Sequence, residues 1–157
     1  MSGTMKMFNY SRTSTLILLP KLEEKYWDIQ PEGFPNTIRW NAGHVYAEAD
    51  AFLKDADKNY EVTRPHYQTF FADGTRPSEW VGDVPTKEEI IEALIEQDKY
   101  IQAFFKDKLN EDADVVRDIN KTLLDTKDAS LQFVTWHEGI HLGITKSIRD
   151  ALKEKNE

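Results

Sequence analysis

Hydrophobic positions recur at helical spacing in four stretches of the chain. The first runs from about Phe8 to Leu19, and Pro20 then suits the opening position of a short extra turn, PKLEEKY. After the loop DIQPEGFPN, Asn36 is a good N-cap for a second helix from about Thr37 to Lys58. Thr86 and Glu89 read as a capping box for a third helix, Lys87 to about Leu109. Its Ile90, Ile91, Leu94, Ile95, Ile101, Phe104 and Phe105 form one apolar stripe. A fourth helix starts after Thr126 or Asp128 and continues to about Lys153. No run alternates convincingly at period two, so no strand is expected.

The connection between the second and third helices, NYEVTRPHYQTFFADGTRPSEWVGDVPT, is too long for a tight helix hairpin. Its Tyr60, Tyr67, Phe70, Phe71 and Trp80 need somewhere to pack. Such a segment suits a crossover running the length of a bundle, with the second and third helices parallel. The expected fold class is all-α, a four-helix bundle forming one domain over residues 1–157.

Composition narrows the function classes. Charged residues make up 31% of the chain and hydrophobic residues 39%, as helices with solvated faces require. The net charge of −8 repels a phosphate backbone, and no cluster of Lys and Arg offsets it. No nucleic-acid partner is therefore expected. With no cysteine, a disulfide framework, thiolate metal ligands and a cysteine nucleophile are all excluded. The apolar run Leu16 to Leu19 is far shorter than a signal-peptide core or a membrane span of roughly 20 residues. The expectation is a soluble cytoplasmic protein with no membrane partner.

Candidate chemistry concentrates on the fourth helix. Its inward seam reads Ser130, Val134, His137, His141, Ile144, Ile148, so two histidines stand where a bundle wants aliphatic side chains. Residues four apart stack on one helix face, and both imidazoles can converge on one ion, which would satisfy a nitrogen of each. Such a pair on an apolar face is also a common structural arrangement.

The string His137-Glu138-Gly139-Ile140-His141 matches the H-E-x-x-H pattern of zinc peptidases. Three features argue against a peptidase. Only sixteen residues follow His141, too few for a downstream glutamate ligand, and Ile144 and Ser147 stand where the metzincin continuation wants Gly and His. There is also no expected strand to hold a peptide by its edge.

The third ligand must come from upstream, where only His44 and His66 remain. His44 shares a helix face with Trp40, Ala47 and Ala51, whose small members leave room for a ring and an ion. His66 sits in the crossover beside Pro65, where nothing fixes its direction, and reads as an exposed loop histidine. Glu138 points roughly 100° away from His137 around the helix, as a solvated charge or as a partner behind the ligands. Glu48, one turn after His44, either orients that imidazole or lies on the surface. Trp40, Trp80 and Trp136 read as packing residues rather than a substrate cage.

Together, Trp40-Asn41-Ala42-Gly43-His44 and His137-Glu138-Gly139-Ile140-His141-Leu142-Gly143-Ile144 resemble the paired motifs of the DinB-like superfamily, the DinB and YfiT type of metal-dependent bundle protein. QPEGFPNTIRW and DGTRPSEW are similar to one bacterial branch of it. The resemblance implies up-down-down-up connectivity, a His44, His137 and His141 site for one nickel or zinc ion, and a homodimer. Three imidazoles leave a coordination position open for a small-molecule ligand. The function this implies is a metal-dependent thiol transferase or hydrolase, with Glu138 and Glu48 as candidate catalytic helpers. The alternative is a non-catalytic metal-binding bundle protein of the stress response.

Overall fold

In the computed structural model, which describes residues 1–155, four long helices carry the fold. Helix α1 spans Gly3–Leu18, α2 Ile38–Ala56, the short α3 Tyr67–Phe71, α4 Lys87–Phe105 and α5 Lys127–Lys155. The expected third and fourth helices are therefore α4 and α5. Along their lengths α1 and α2 each pack against both α4 and α5.

The helix ends follow local chemistry. The α4 capping box is present as expected: Thr86 Oγ1 accepts from the Glu89 backbone, and the Glu89 carboxylate accepts from the Thr86 backbone. Helix α1 starts five residues before the expected Phe8, because Ser2 Oγ accepts from the Met5 backbone N–H at 3.1 Å. The cap of α2 is Thr37, whose hydroxyl accepts from the Trp40 N–H at 3.1 Å, rather than Asn36. Thr126 does the same for α5, accepting from the Ala129 N–H at 3.0 Å.

One expectation fails. Helix α4 stops at Phe105, and a β-hairpin follows, β1 Asp112–Ile119 and β2 Thr122–Thr126. The strands pair antiparallel with Ile119 opposite Thr122 and Arg117 opposite Leu124, and the register shifts between Asp112 and Arg117. The turn residues Asn120 and Lys121 have φ of 52° and 68°. A two-residue hairpin with both central residues left-handed usually signals itself by a glycine at the second of them. Lys121 occupies that place, and in the strands only Leu124 is fully buried, so neither turn signal nor alternation was visible.

The core has two apolar clusters. One gathers Leu18, Trp27, Ile38, Tyr67, Phe71, Ile90 and Ile148 among others. The other gathers Met5, Phe8, Leu53, Tyr60, Ile101, Phe105, Leu124 and Leu131. The crossover aromatics thus pack inward, as their number demanded.

Each long helix carries a buried polar residue near where the clusters meet: Arg12, Asp50, Gln97 and Glu138. Arg12 Nε donates to both Glu138 carboxylate oxygens at 2.9 and 3.1 Å, Nη1 to the Leu94 carbonyl at 3.0 Å, and Nη2 to Gln97 Oε1 at 3.0 Å. Gln97 Nε2 in turn donates to the Tyr46 carbonyl and to Asp50 Oδ1. Truncating one partner of such a pair leaves the other charge buried and bare. Arg12→Leu is expected to cost about 3–5 kcal/mol in urea unfolding, and Arg12→Leu/Glu138→Leu distinctly less. A double variant as unstable as the sum of the singles would show that the two groups are not coupled.

A second buried pair pins the start of α5. Lys127 Nζ donates to Asp57 Oδ2 at 2.8 Å and also to Glu111. Burial raises the Asp57 carboxyl, but hydrogen bonds from Lys127 and the Asn59 backbone, with the Lys127 and Lys108 charges, outweigh it and hold the group below its ordinary value. A depressed carboxyl stabilises fully above its unfolded pKa, about 3.9, and that contribution is lost as the pH falls through the folded value. Asp57→Asn should therefore flatten the fall of stability on acidification below that range. Urea midpoints measured across the acid limb check this, and slopes equal to wild type would refute it.

Candidate metal centre

His44 stands on α2, and His137 and His141 stand one turn apart on α5. One ring nitrogen from each lies within 4.8 Å of the other two. His141 Nε2 and His137 Nε2 are 3.1 Å apart. The His44 ring lies 4.6 Å from the His141 ring and 5.0 Å from the His137 ring, centroid to centroid. His66 is exposed, packs its ring against Tyr67, and lies outside the cluster.

The far nitrogen of two rings is fixed by groups that can only accept. His44 Nδ1 lies 2.7 Å from the Phe71 carbonyl oxygen. A carbonyl cannot donate, so Nδ1 carries the proton and Nε2 the free lone pair. His141 Nδ1 lies 2.8 Å from Asn41 Oδ1. The Asn41 amide is itself oriented, since its Nδ2 donates to the Thr37 carbonyl at 2.8 Å. His141 Nε2 is therefore also a lone pair, and it faces His137 Nε2. Between two such nitrogens there must be either a tautomeric proton of His137 or a cation. The donor set fits a divalent transition metal.

The environment keeps the rings neutral, which is the ligating form. Burial holds His137 down to about 4 and His141 down to about 3, and the neighbouring imidazoles push the same way. Burial also lowers His44, against the Phe71 hydrogen bond and the charges of Glu48 and Asp73. Trp40 stacks on His44 with centroids 4.3 Å apart and planes 15° apart, and its Nε1 donates to Thr75 at 2.9 Å. His44 is buried, whereas His137 and His141 are half-buried, so one flank of the cluster meets solvent.

The crossover reaches the cluster because Gly43 has no side chain. A Cβ there would lie 2.4 Å from the Phe71 ring, so any other residue would displace the aromatic whose carbonyl holds His44.

Glu138 is not a solvated charge. It is 1% exposed and paired to Arg12, which is 0% exposed. The buried stripe of α5 is accordingly rotated from the expected seam: Glu138 and Thr145 are fully buried, and His137 and Ile144 sit at its edge. Glu48 is half-buried one turn from His44. Trp40 packs in the core and Trp80 half-buried against Phe71, but Trp136 is 61% exposed and packs only at the surface, its ring beside Phe133. The sequence reading missed Asn41, Phe71 and Arg12. Asn41, one turn before His44 on its face, carried a faint signal; the other two are joined to the site only by the fold.

These features define a mostly helical protein with a three-histidine cluster that could hold a metal ion. The chain belongs to the DinB superfamily, whose family model matches residues 7–145. No curated protein matches it.

Asn41→Ala is expected to weaken metal binding by about 10–100-fold, the usual effect of removing a group that holds a ligand imidazole in place. Asn41→Asp, which keeps the accepting oxygen, should bind within a few-fold of wild type. Competition titrations against a chelator read this directly, and equal loss in both variants would overturn the orienting role.

Proposed function

We propose that His44, His137 and His141 hold one divalent transition metal ion, nickel or zinc, in a small-molecule enzyme of the thiol-transferase or hydrolase kind. The observation that carries the reading is the pair of oriented Nε2 lone pairs, on His44 and His141, turned toward His137. Bound there, such an ion supplies Lewis acidity that lowers the pKa of a thiol and leaves a coordination position open to it.

In the transfer, the thiol gives up its proton, its sulfur forms a carbon–sulfur bond with the electrophile, and the leaving group departs with its electron pair and takes up a proton. We read Glu48 as the group that carries that proton. It is half-buried, its charge reaches His44, and no hydrogen bond engages it among the described residues. Glu138, with both oxygens bonded to Arg12, holds α5 in register behind the ligands.

The chain path is read as up-down-down-up in a single bundle. In support, one apolar cluster takes residues from the end of α1, the starts of α2 and α4 and the end of α5, and the other takes their opposite ends. The protomer is read as half of a homodimer with no nucleic-acid partner, the latter consistent with its net charge of −8. Among the described residues no helix is long and apolar enough to cross a membrane. The alternative, a non-catalytic ion fastening α2 to α5, is favoured by the close cover of His44 by Trp40 and the Phe71 carbonyl.

Purified protein should carry about one equivalent of divalent transition metal, the load of one three-imidazole site. Elemental analysis should show that load lost in His44→Ala, His137→Ala and His141→Ala, and a full load in His44→Ala would sink the ligand set. Metal-loaded protein should also accelerate coupling of a small thiol to a generic electrophile. No rate above free metal across several thiols would leave the structural reading standing.

A further inference from the structure

A second feature of the core lies outside the histidine cluster. Asp50, on α2, is 2% exposed. Its Oδ1 accepts from Tyr60 Oη at 2.7 Å and from Gln97 Nε2 at 2.8 Å. Its Oδ2 is buried and has no hydrogen-bond partner among the described residues. The same residue forms part of the wall of a cavity of about 210 Å3, together with Tyr46, Tyr60 and Tyr100. The cavity reaches the surface at Glu61, Thr63 and Glu96, all exposed.

The charges do not close around this carboxylate. Arg12, the buried cation of the polar layer, is taken up by Glu138. Arg64, the one cation on the cavity wall, is tied to Glu96 at 2.7 Å. The Arg12 charge reaches Asp50, but the Arg12 donors go to Glu138, Leu94 and Gln97, and Arg64 is shared with Glu96. A buried oxygen left without a donor costs stability. Burial pushes the Asp50 carboxyl up, against the hydrogen bonds from Tyr60 and Gln97, the nearby Tyr46 hydroxyl and the Arg12 charge.

We propose that this cavity is a binding site for a small primary ammonium group, which donates to Asp50 Oδ2 and lies among the rings of Tyr46, Tyr60 and Tyr100. A carboxylate among aromatic faces is amine-recognition chemistry, because the ring quadrupoles and the anion attract the same charge. The size of the cavity suits a short alkylammonium, free or at the end of a larger molecule. Tyr46 lines the cavity, and its hydroxyl makes a long 3.3 Å contact to Thr63 and lies near Arg64 and Asp50. The empty site carries a cost that a ligand removes, as binding sites characteristically do.

The test uses the full metal-loaded chain. Thermal midpoints are measured in methylammonium chloride and in sodium chloride at equal ionic strength. Wild type should gain stability with amine concentration, as a ligand that binds only the folded chain requires. Asp50→Asn keeps the Oδ1 acceptor and removes the anion, and should lose the response to amine. Glu96→Gln, on the exposed rim, leaves the core untouched and should show a weakened response, so the proposal stays testable if the Asp50 variant folds poorly. Equal midpoints of wild type in the two salts would overturn it, as would an undiminished response in Asp50→Asn or a crystal grown in methylammonium showing only water on Oδ2.

Discussion

The rest of the structure depends on one buried ion pair. Arg12 reaches from α1 into the middle of the core and spends its donors on α4 and α5, on Leu94, Gln97 and Glu138. Gln97 passes the connection to α2 through Tyr46 and Asp50. A guanidinium offers five donors in a fixed fork, so its partners must arrive at particular positions or leave polar atoms bare. Apolar clusters tolerate a helix sliding by a fraction of a turn, whereas this layer does not. The register it sets between α2 and α5 is the register that brings His44 opposite His137 and His141.

That constraint explains what the H-E-x-x-H string means in this chain. Its two histidines share a face, and the glutamate between them lies about 100° around the helix. Which of these directions faces a metal and which faces the core depends on what the neighbouring helices present. Helix α1 presents Arg12, so Glu138 turns inward and the histidines turn to the edge of the stripe, toward α2. The local string is that of a zinc peptidase, but the environment of its glutamate is that of a core ion pair. A motif records spacing, and the partner that gives the spacing its chemistry lies 126 residues away.

Much of the fold was legible for physical reasons. Thr86 and Glu89 announced α4 because a capping box acts within four residues. The aromatic crossover announced its own packing, because five large rings cannot stay in water. The hairpin was silent, since its positive-φ turn holds Lys121 in place of a glycine and its strands lie largely in solvent. The site was legible where it rests on helical spacing, as His137 and His141 do. His44 emerged from elimination and from the small residues beneath it. Asn41 was only faintly readable and the Phe71 carbonyl not at all, because each acquires its partner only when α5 and the crossover close on α2.

The same closure decides which atoms of the site are free to act. An imidazole in solution exchanges its proton between two nitrogens, and either can ligate. Here Asn41 and Phe71 remove that freedom for two of the three rings, and both hydrogen bonds issue from groups the sequence alone would rank as structural. Gly43 is part of the arrangement because it lets the Phe71 ring lie against α2, and so sets where the carbonyl of the same residue stands. Among the described residues His137 has no such tether: its ring lies against Phe133 and near His44, and its Nε2 meets His141. It is thus the ring whose tautomer the cluster itself must decide. Two nitrogens held ready by the fold and a third left to follow form a site whose last degree of freedom is settled by what it holds.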